Sequence, residues 1–327
     1  MVELQSFVFF PEFLHHRTFS VKINKFVSSN SYPISSGVPQ GSVSGPLLFI
    51  LFINDLLIDL EPNIHFSCFA DDIKIFRHNP STLQNPIDTI VKWSKKNELP
   101  LASAKSSVLS LGSQNTNHTY RVDNVPILPS PTVRDLGLIT DCKINFEPHI
   151  IKISCLAMLR TKQILKAFSS NSHKFYSHLF KTYVVPIINY CSEVYSPSPN
   201  SSLSAILEKP LRTFTKRVLQ RCNVKSTSYE NRLCIMKLFS TRHTRIKAQM
   251  NLLYRLLTGS THFFKSNQFV KFSNSNRRPM ILVRKDTCSS HFFAKSIPIW
   301  NNLVKNIPVF LSPYQFSNFL DVNIPRY

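Results

Sequence analysis

The spacing of apolar positions changes character near residue 145. Before it, short runs with strand-like alternation are interleaved with two helical stretches. After it, apolar residues recur every three to four positions over long spans, the signature of amphipathic helices. Residues 17–25 place Phe19, Val21 and Ile23 on one face and predict a strand. Residues 47–60 read as a buried helix that stops before Glu61 and Pro62. Two short apolar strands, 65–69 and 73–76, flank Asp71 and Asp72 and put both carboxylates at the tip of a hairpin. Residues 87–98 predict an amphipathic helix, and 108–111 and 133–139 predict further strands.

In the C-terminal half, helices are predicted over 149–168, 174–195, 203–222 and 237–257, with Pro186 kinking the second and Gly259 closing the last. Residues 266–290 are polar and basic and read as a loose connection to a last apolar piece around Trp300. Strands and helices mix without a regular βαβ repeat, so the fold class is α+β, divided into residues 1–145 and 146–327.

Charge sharpens that division. Residues 1–145 hold 12 basic and 12 acidic side chains, whereas 146–327 hold 27 basic and 6 acidic, so the whole net charge of +21 lies in the second half. Such a surface calls for a polyanionic partner, and nucleic acid is the expected one, with an anionic membrane surface as the rival. The longest apolar run, residues 46–53, is far short of the roughly 20 residues a bilayer requires. The N-terminus lacks a secretory pattern, and the seven cysteines contain no C-x-x-C pair. The expectation is a reduced intracellular protein of the nucleus or cytoplasm, with no membrane partner.

Candidate chemistry begins with glycine. The chain has only six, and three of them, Gly37, Gly41 and Gly45, fall within Ser36-Gly37-Val38-Pro39-Gln40-Gly41-Ser42-Val43-Ser44-Gly45-Pro46. Glycine serves where φ must be positive or where backbones approach closely, so this stretch predicts a special loop. Adjacent carboxylates on a rigid hairpin suit Mg²⁺, which takes one or two carboxylates and leaves its other positions to water and phosphate. An ordinary Asx-rich turn is the alternative for Asp71 and Asp72 taken alone.

The glycine loop, followed by Ile53-Asn54-Asp55-Leu56 and then Phe69-Ala70-Asp71-Asp72, resembles the palm of reverse transcriptases from non-LTR retrotransposons. Further matches follow in the family's order. Trp93-Ser94 through Lys105-Ser106-Ser107-Val108 resembles the lysine-bearing segment after the hairpin. Asp135-Leu136-Gly137, Asn145-Phe146 and His149 resemble the primer-grip region. Tyr183 to Tyr190, and Phe292 to Trp300, resemble the regions beyond it.

The resemblance implies an RNA-directed DNA polymerase in which Asp71 binds catalytic Mg²⁺, or Mn²⁺ in its place, and Asp72 supports that site. It implies that Gly37, Pro39, Gln40 and Gly41 lie under the template and incoming nucleotide, with Phe69 at the aromatic position of the box. Lys105 becomes a candidate proton donor to the pyrophosphate leaving group. Two-metal attack of a primer 3′-hydroxyl on an α-phosphate would be the reaction, with an RNA template and RNA/DNA duplex as partners. The family's earlier metal-binding aspartate, in a segment resembling F-x-D-x-x-K-A-F-D, is expected upstream of residue 1, as are the fingers. The expectation is therefore an incomplete palm followed by a basic helical thumb, inactive by itself. The alternative is a non-enzymatic nucleic-acid-binding remnant.

Lys209, Arg212, Lys216, Arg217 and Arg221 recur at three- to five-residue steps and form a candidate phosphate-backbone contact. Two other patterns are set aside. Gly41-Ser42-Val43-Ser44-Gly45 satisfies the G-x-S-x-G nucleophile elbow, but Pro39 and Pro46 interrupt the strand and helix that the motif needs. Cys288 and His291 form half a zinc site, without a second pair at the usual spacing.

Overall fold

The computed structural model describes residues 14–60, 64–112, 118–226, 228–259, 270–273, 281–284, 291–304 and 312–325. The chain divides into two compact units, Met1–Ser130 and Pro131–Tyr327. The first has 10 basic and 10 acidic residues and the second 29 and 8, so the entire excess charge belongs to the second unit.

In the first unit the strand predicted over 17–25 is cut into short pieces. Strand β1 (Thr18–Phe19) pairs with β4 (Tyr32–Pro33), and β2 (Lys22–Ile23) with β3 (Phe26–Val27). Asn24 at φ 55° turns the chain between β2 and β3, a local Asn preference that outweighs the alternation. Helix α1 (Gly45–Asp59) follows the glycine loop, then the hairpin β5 (His65–Phe69) and β6 (Asp72–Phe76), helix α2 (Gln84–Lys96), and the hairpin β7 (Tyr120–Val122) and β8 (Val125–Ile127). The predicted strand at 108–111 is reduced to one bridge, Val108 with Pro129.

The core of this unit is small. Ile53, Leu56 and Leu60 from α1 and its C-cap meet Ile90 and Trp93 of α2, and Ile73 and Ile75 of β6 pack against them. Helix α1 is therefore buried on one face, not all round. Leu47, Ile50, Leu51 and Ile58 lie along its other face and are exposed. Asn54, Asp55 and Asp59 mark only the C-terminal turns of the exposed side, and the long apolar run 46–53 before them carries no amphipathic signal to show which side finds partners.

In the second unit, β9 (Thr132–Asp135) and β10 (Leu138–Asp141) form a hairpin that leads into α3 (Glu147–Ala167). The single helix predicted over 174–195 is three: α4 (His173–Tyr183), α5 (Val185–Asn189) and α6 (Ser192–Tyr195). Pro186 sits in the first turn of α5, where it lacks no needed N–H, and Cys191 at φ 54° breaks the chain again before α6. Helix α7 (Ser202–Arg221) agrees closely with its prediction. The one predicted over 237–257 begins later, as α9 (Thr241–Leu257), because Lys237 at φ 49° caps the separate helix α8 (Tyr229–Met236). Strands β11 (Val270–Phe272) and β12 (Leu282–Arg284) pair within the segment read as a loose connection. Helices α10 (His291–Leu303), which holds Trp300, and α11 (Pro313–Asn323) end the order.

Two apolar clusters hold these helices. The larger joins Ile150, Ile153 and Ala157 of α3, Tyr176 and Phe180 of α4, and Leu207, Leu211, Phe214 and Val218 of α7. The second joins Met250, Leu253 and Tyr254 of α9 with Trp300, Phe316 and Leu320. Full burial of a side chain such as Phe214 contributes about 1.5–3 kcal/mol.

Three of the eight acidic residues of this unit, Glu208, Asp321 and Asp141, are occupied internally. Glu208 is buried and accepts hydrogen bonds from the Tyr229 hydroxyl and from the backbone N–H and hydroxyl of Thr241. Asp321 is bound 2.6 Å from Lys247 Nζ, and Asp141 accepts from the backbone N–H groups of Lys143, Asn145 and Phe146. The outer surface is correspondingly cationic. Among the described residues no helix is long and apolar enough to cross a membrane. Six cysteines are free thiols, and Cys288 lies outside the described residues.

Candidate active site and nucleic-acid interface

The glycine loop is a tight turn joined directly to a helix. Ser42 N–H donates to the Pro39 carbonyl at 3.2 Å, closing a turn with Gln40 and Gly41 as its central residues. Gly41 has φ 82°, the conformation a type II turn requires at its third position. The Ser42 hydroxyl donates to the same carbonyl and accepts from Gly45 N–H at 3.0 Å, so Ser42 caps α1 from outside. A Cβ on Gly45 would stand 2.9 Å from that hydroxyl and 3.1 Å from the Pro39 carbonyl, which makes Gly45 a close-approach residue. Gln40 is exposed at the apex and Gly37 lies in the exposed approach. Arg17 donates from its guanidinium to the Ser36 and Gly37 carbonyls. No local pattern marks Arg17 for that role, since the contact spans some twenty residues of chain.

The β5–β6 hairpin pairs Phe69 with Asp72 and leaves Ala70 and Asp71 as a two-residue turn. Ala70 is at φ 51°, a conformation that hairpin turns of this length demand and that usually selects Gly, Asn or Asp. Asp71 and Asp72 are both exposed, and Phe69 is 65% exposed beside them. One face of the hairpin turns Ile73 and Ile75 to the core. The other carries Phe69 with His65 and Phe76, whose rings stack 5.4 Å apart. Lys105 ends a 3₁₀ turn (Ser103–Lys105) and is exposed, and no hydrogen bond or ion pair joins it to Asp71 or Asp72. Among the described residues no group of three His, Cys, Asp or Glu side chains is placed to hold a metal ion. The two aspartates have the right donor type for Mg²⁺ and supply at most part of a coordination shell.

In the second unit, Lys209, Arg212, Lys216, Arg217 and Arg221 are all exposed on α7. At about 100° per residue they divide between two sides of the helix. Lys209, Arg212 and Lys216 share one side, where Arg212 also stacks over the Tyr229 ring at 4.1 Å. Arg217 and Arg221 line a groove of about 650 Å³ against α3, together with Lys162, Thr161, Thr213 and Gln220. Arg221 is partly committed there, donating to the Phe168 carbonyl and the Tyr176 hydroxyl at 2.8 Å each. Lys162 was not singled out from sequence, because its place beside α7 depends on helix packing.

Residues 1–140 match the family model described as reverse transcriptase (RNA-dependent DNA polymerase). An uncharacterised protein of Caenorhabditis elegans is 40% identical over 131 residues, which are 40% of this chain and 66% of that protein. The probable RNA-directed DNA polymerase from transposon X-element of Drosophila melanogaster is 22% identical over 84% of this chain and 32% of its own length. The RNA-directed DNA polymerase from mobile element jockey of the same fly is 24% identical over 62% of this chain and 24% of its own. The chain thus spans about two thirds of the first and a third or less of the two polymerases. No solved structure matches it significantly. The match over residues 1–140, together with relatives named as RNA-directed DNA polymerases of mobile elements, supports a reverse transcriptase of the non-LTR, LINE type.

Proposed function

We propose that the chain acts as part of an RNA-directed DNA polymerase, with residues 1–145 serving as palm and 146–327 as a thumb that holds an RNA template or RNA/DNA duplex. The observation that supports this most directly is the exposed Asp71–Asp72 pair on a two-residue hairpin turn, in a unit that also carries the Pro39–Ser42 turn. Asp71 is the proposed metal ligand and Asp72 its support. Gly37, Pro39, Gln40 and Gly41 are the proposed surface on which template and nucleotide rest, Phe69 is the proposed aromatic contact, and Lys105 is the proposed proton donor. A bound divalent metal, Mg²⁺ or Mn²⁺, would neutralise charge on the reacting phosphate. The described residues offer the pair and no third ligand group, so we propose weak metal affinity and little turnover by this chain alone.

The second reading is a binding protein without turnover, favoured by the concentration of net charge in the second unit. Primer extension on a primed RNA template with Mg²⁺ and nucleotides, beside Asp71→Ala, separates the two. Extension that the substitution abolishes supports the polymerase. Duplex binding at low salt, unchanged by Asp71→Ala and unaccompanied by extension, supports the second reading.

A further inference from the structure

A cavity of about 190 Å³ opens in the second unit where the loop after α6 meets α9 and α10. Arg242, Arg245, Gln249 and Lys295 line it with Pro197 and Ile299, and no carboxylate does so among the described residues. Arg245 is 2% exposed. Its Nη1 donates to the Thr241 hydroxyl at 2.8 Å and its Nη2 to the Ser204 hydroxyl at 3.0 Å, while Nε has no partner. Glu208 attracts this guanidinium electrostatically and is joined to it through the Thr241 hydroxyl, but does not line the cavity. Lys295 donates to the Ser196 carbonyl at 2.8 Å, and burial holds its ammonium below the usual lysine range. Arg242 is exposed and makes no ion pair among the described residues.

Three cations around one small cavity repel one another, and a buried donor without a partner costs about 1–3 kcal/mol. An anion with several acceptor oxygens would relieve both, and a tetrahedral oxyanion has the size and valence for this space. We propose that this cavity is a binding site for a phosphate group, held by Arg242, Arg245 and Lys295. The source is inorganic phosphate or the terminal phosphate of a nucleic-acid strand. The site stands on this cavity and is independent of the polymerase reading.

The test is calorimetric titration of the full chain with inorganic phosphate, against chloride at equal ionic strength. Saturable binding that Arg242→Gln and Lys295→Gln each weaken tenfold or more is expected. Neither variant removes a tie between helices α7 and α9, so their folding, checked by circular dichroism, is expected to survive. Phosphate binding no stronger than chloride, or indifferent to both substitutions, overturns the site and leaves Arg245 a packing residue. Competition by a 5′-phosphorylated oligonucleotide, but not by its unphosphorylated twin, assigns the source to a strand end. Binding of inorganic phosphate without that competition assigns it to the free ion.

Discussion

At Gly45 the missing side chain is the requirement, because the Pro39 carbonyl and Ser42 hydroxyl occupy the space a methyl group would take. Gly45→Ala should force the turn away from the start of α1 and cost about 1–3 kcal/mol. Chemical denaturation of the chain checks this, and a cost within about 0.5 kcal/mol would mean that the loop gives way easily. Ala70 presents the opposite case, a residue with a side chain where φ 51° favours none. Ala70→Gly should stabilise the hairpin by up to about 1 kcal/mol by relieving the left-handed strain. A lower denaturation midpoint for that variant would show that added unfolded-state freedom outweighs the relief.

Among the elements, the β9–β10 hairpin is tied to α3 by His149 and Asp141. His149 is buried, accepts from Ile139 N–H at 3.3 Å through Nδ1, packs against the Tyr195 ring, and leaves Nε2 without a partner. Burial and the neighbouring Lys152 push its pKa down, so the folded state holds the neutral ring. The unfolded chain takes up a proton below about pH 6.5 while the folded chain does not, and stability should fall as pH drops below that value. The loss should reach no more than about 1 kcal/mol per pH unit, read from urea midpoints at pH 7.5 and 5.5. His149→Gln, which keeps an acceptor, should shrink the difference, and an undiminished one would place the titration elsewhere. Elements of this kind were legible where periodicity is long: α3 and α7 follow their predictions within about two residues at each end. The second break in 174–195, and the separate start of α9, depend on left-handed Cys191 and Lys237, whose side chains give no local signal. The exposed face of α1 was hidden for another reason, since its first turns, residues 46–53, are apolar all round and only Asn54, Asp55 and Asp59 mark a polar side. The aspartate pair and the glycine turn were legible because both are local in sequence, whereas Arg17, Lys162 and Arg245 owe their places to long-range packing.

Across the whole molecule, charge decides what can be bound more than any single residue. The second unit has 29 basic and 8 acidic residues, and Glu208, Asp141 and Asp321 are already bound within it. The affinity we propose for an RNA/DNA duplex should come mainly from counterion release and fall steeply as salt rises. The five cations of α7 are not equal in this. Lys209, Lys216 and Arg217 are exposed without an internal partner among the described residues, whereas Arg212 covers Tyr229 and Arg221 bonds to Phe168 and Tyr176. Replacing Lys209, Lys216 and Arg217 together with Gln should flatten the slope of log affinity against log salt by roughly 2–3, at about 0.9 per lost phosphate contact. Arg221→Gln should lower stability by about 1–2 kcal/mol through its lost hydrogen bonds and change the slope by no more than about 1. Filter binding across a salt series measures the slopes, and denaturation measures the stability. Unaltered slopes for both the triple variant and Arg221→Gln would move the duplex off α7. A slope reduced more by Arg221→Gln than by the triple change would instead place the phosphates in the groove between α3 and α7.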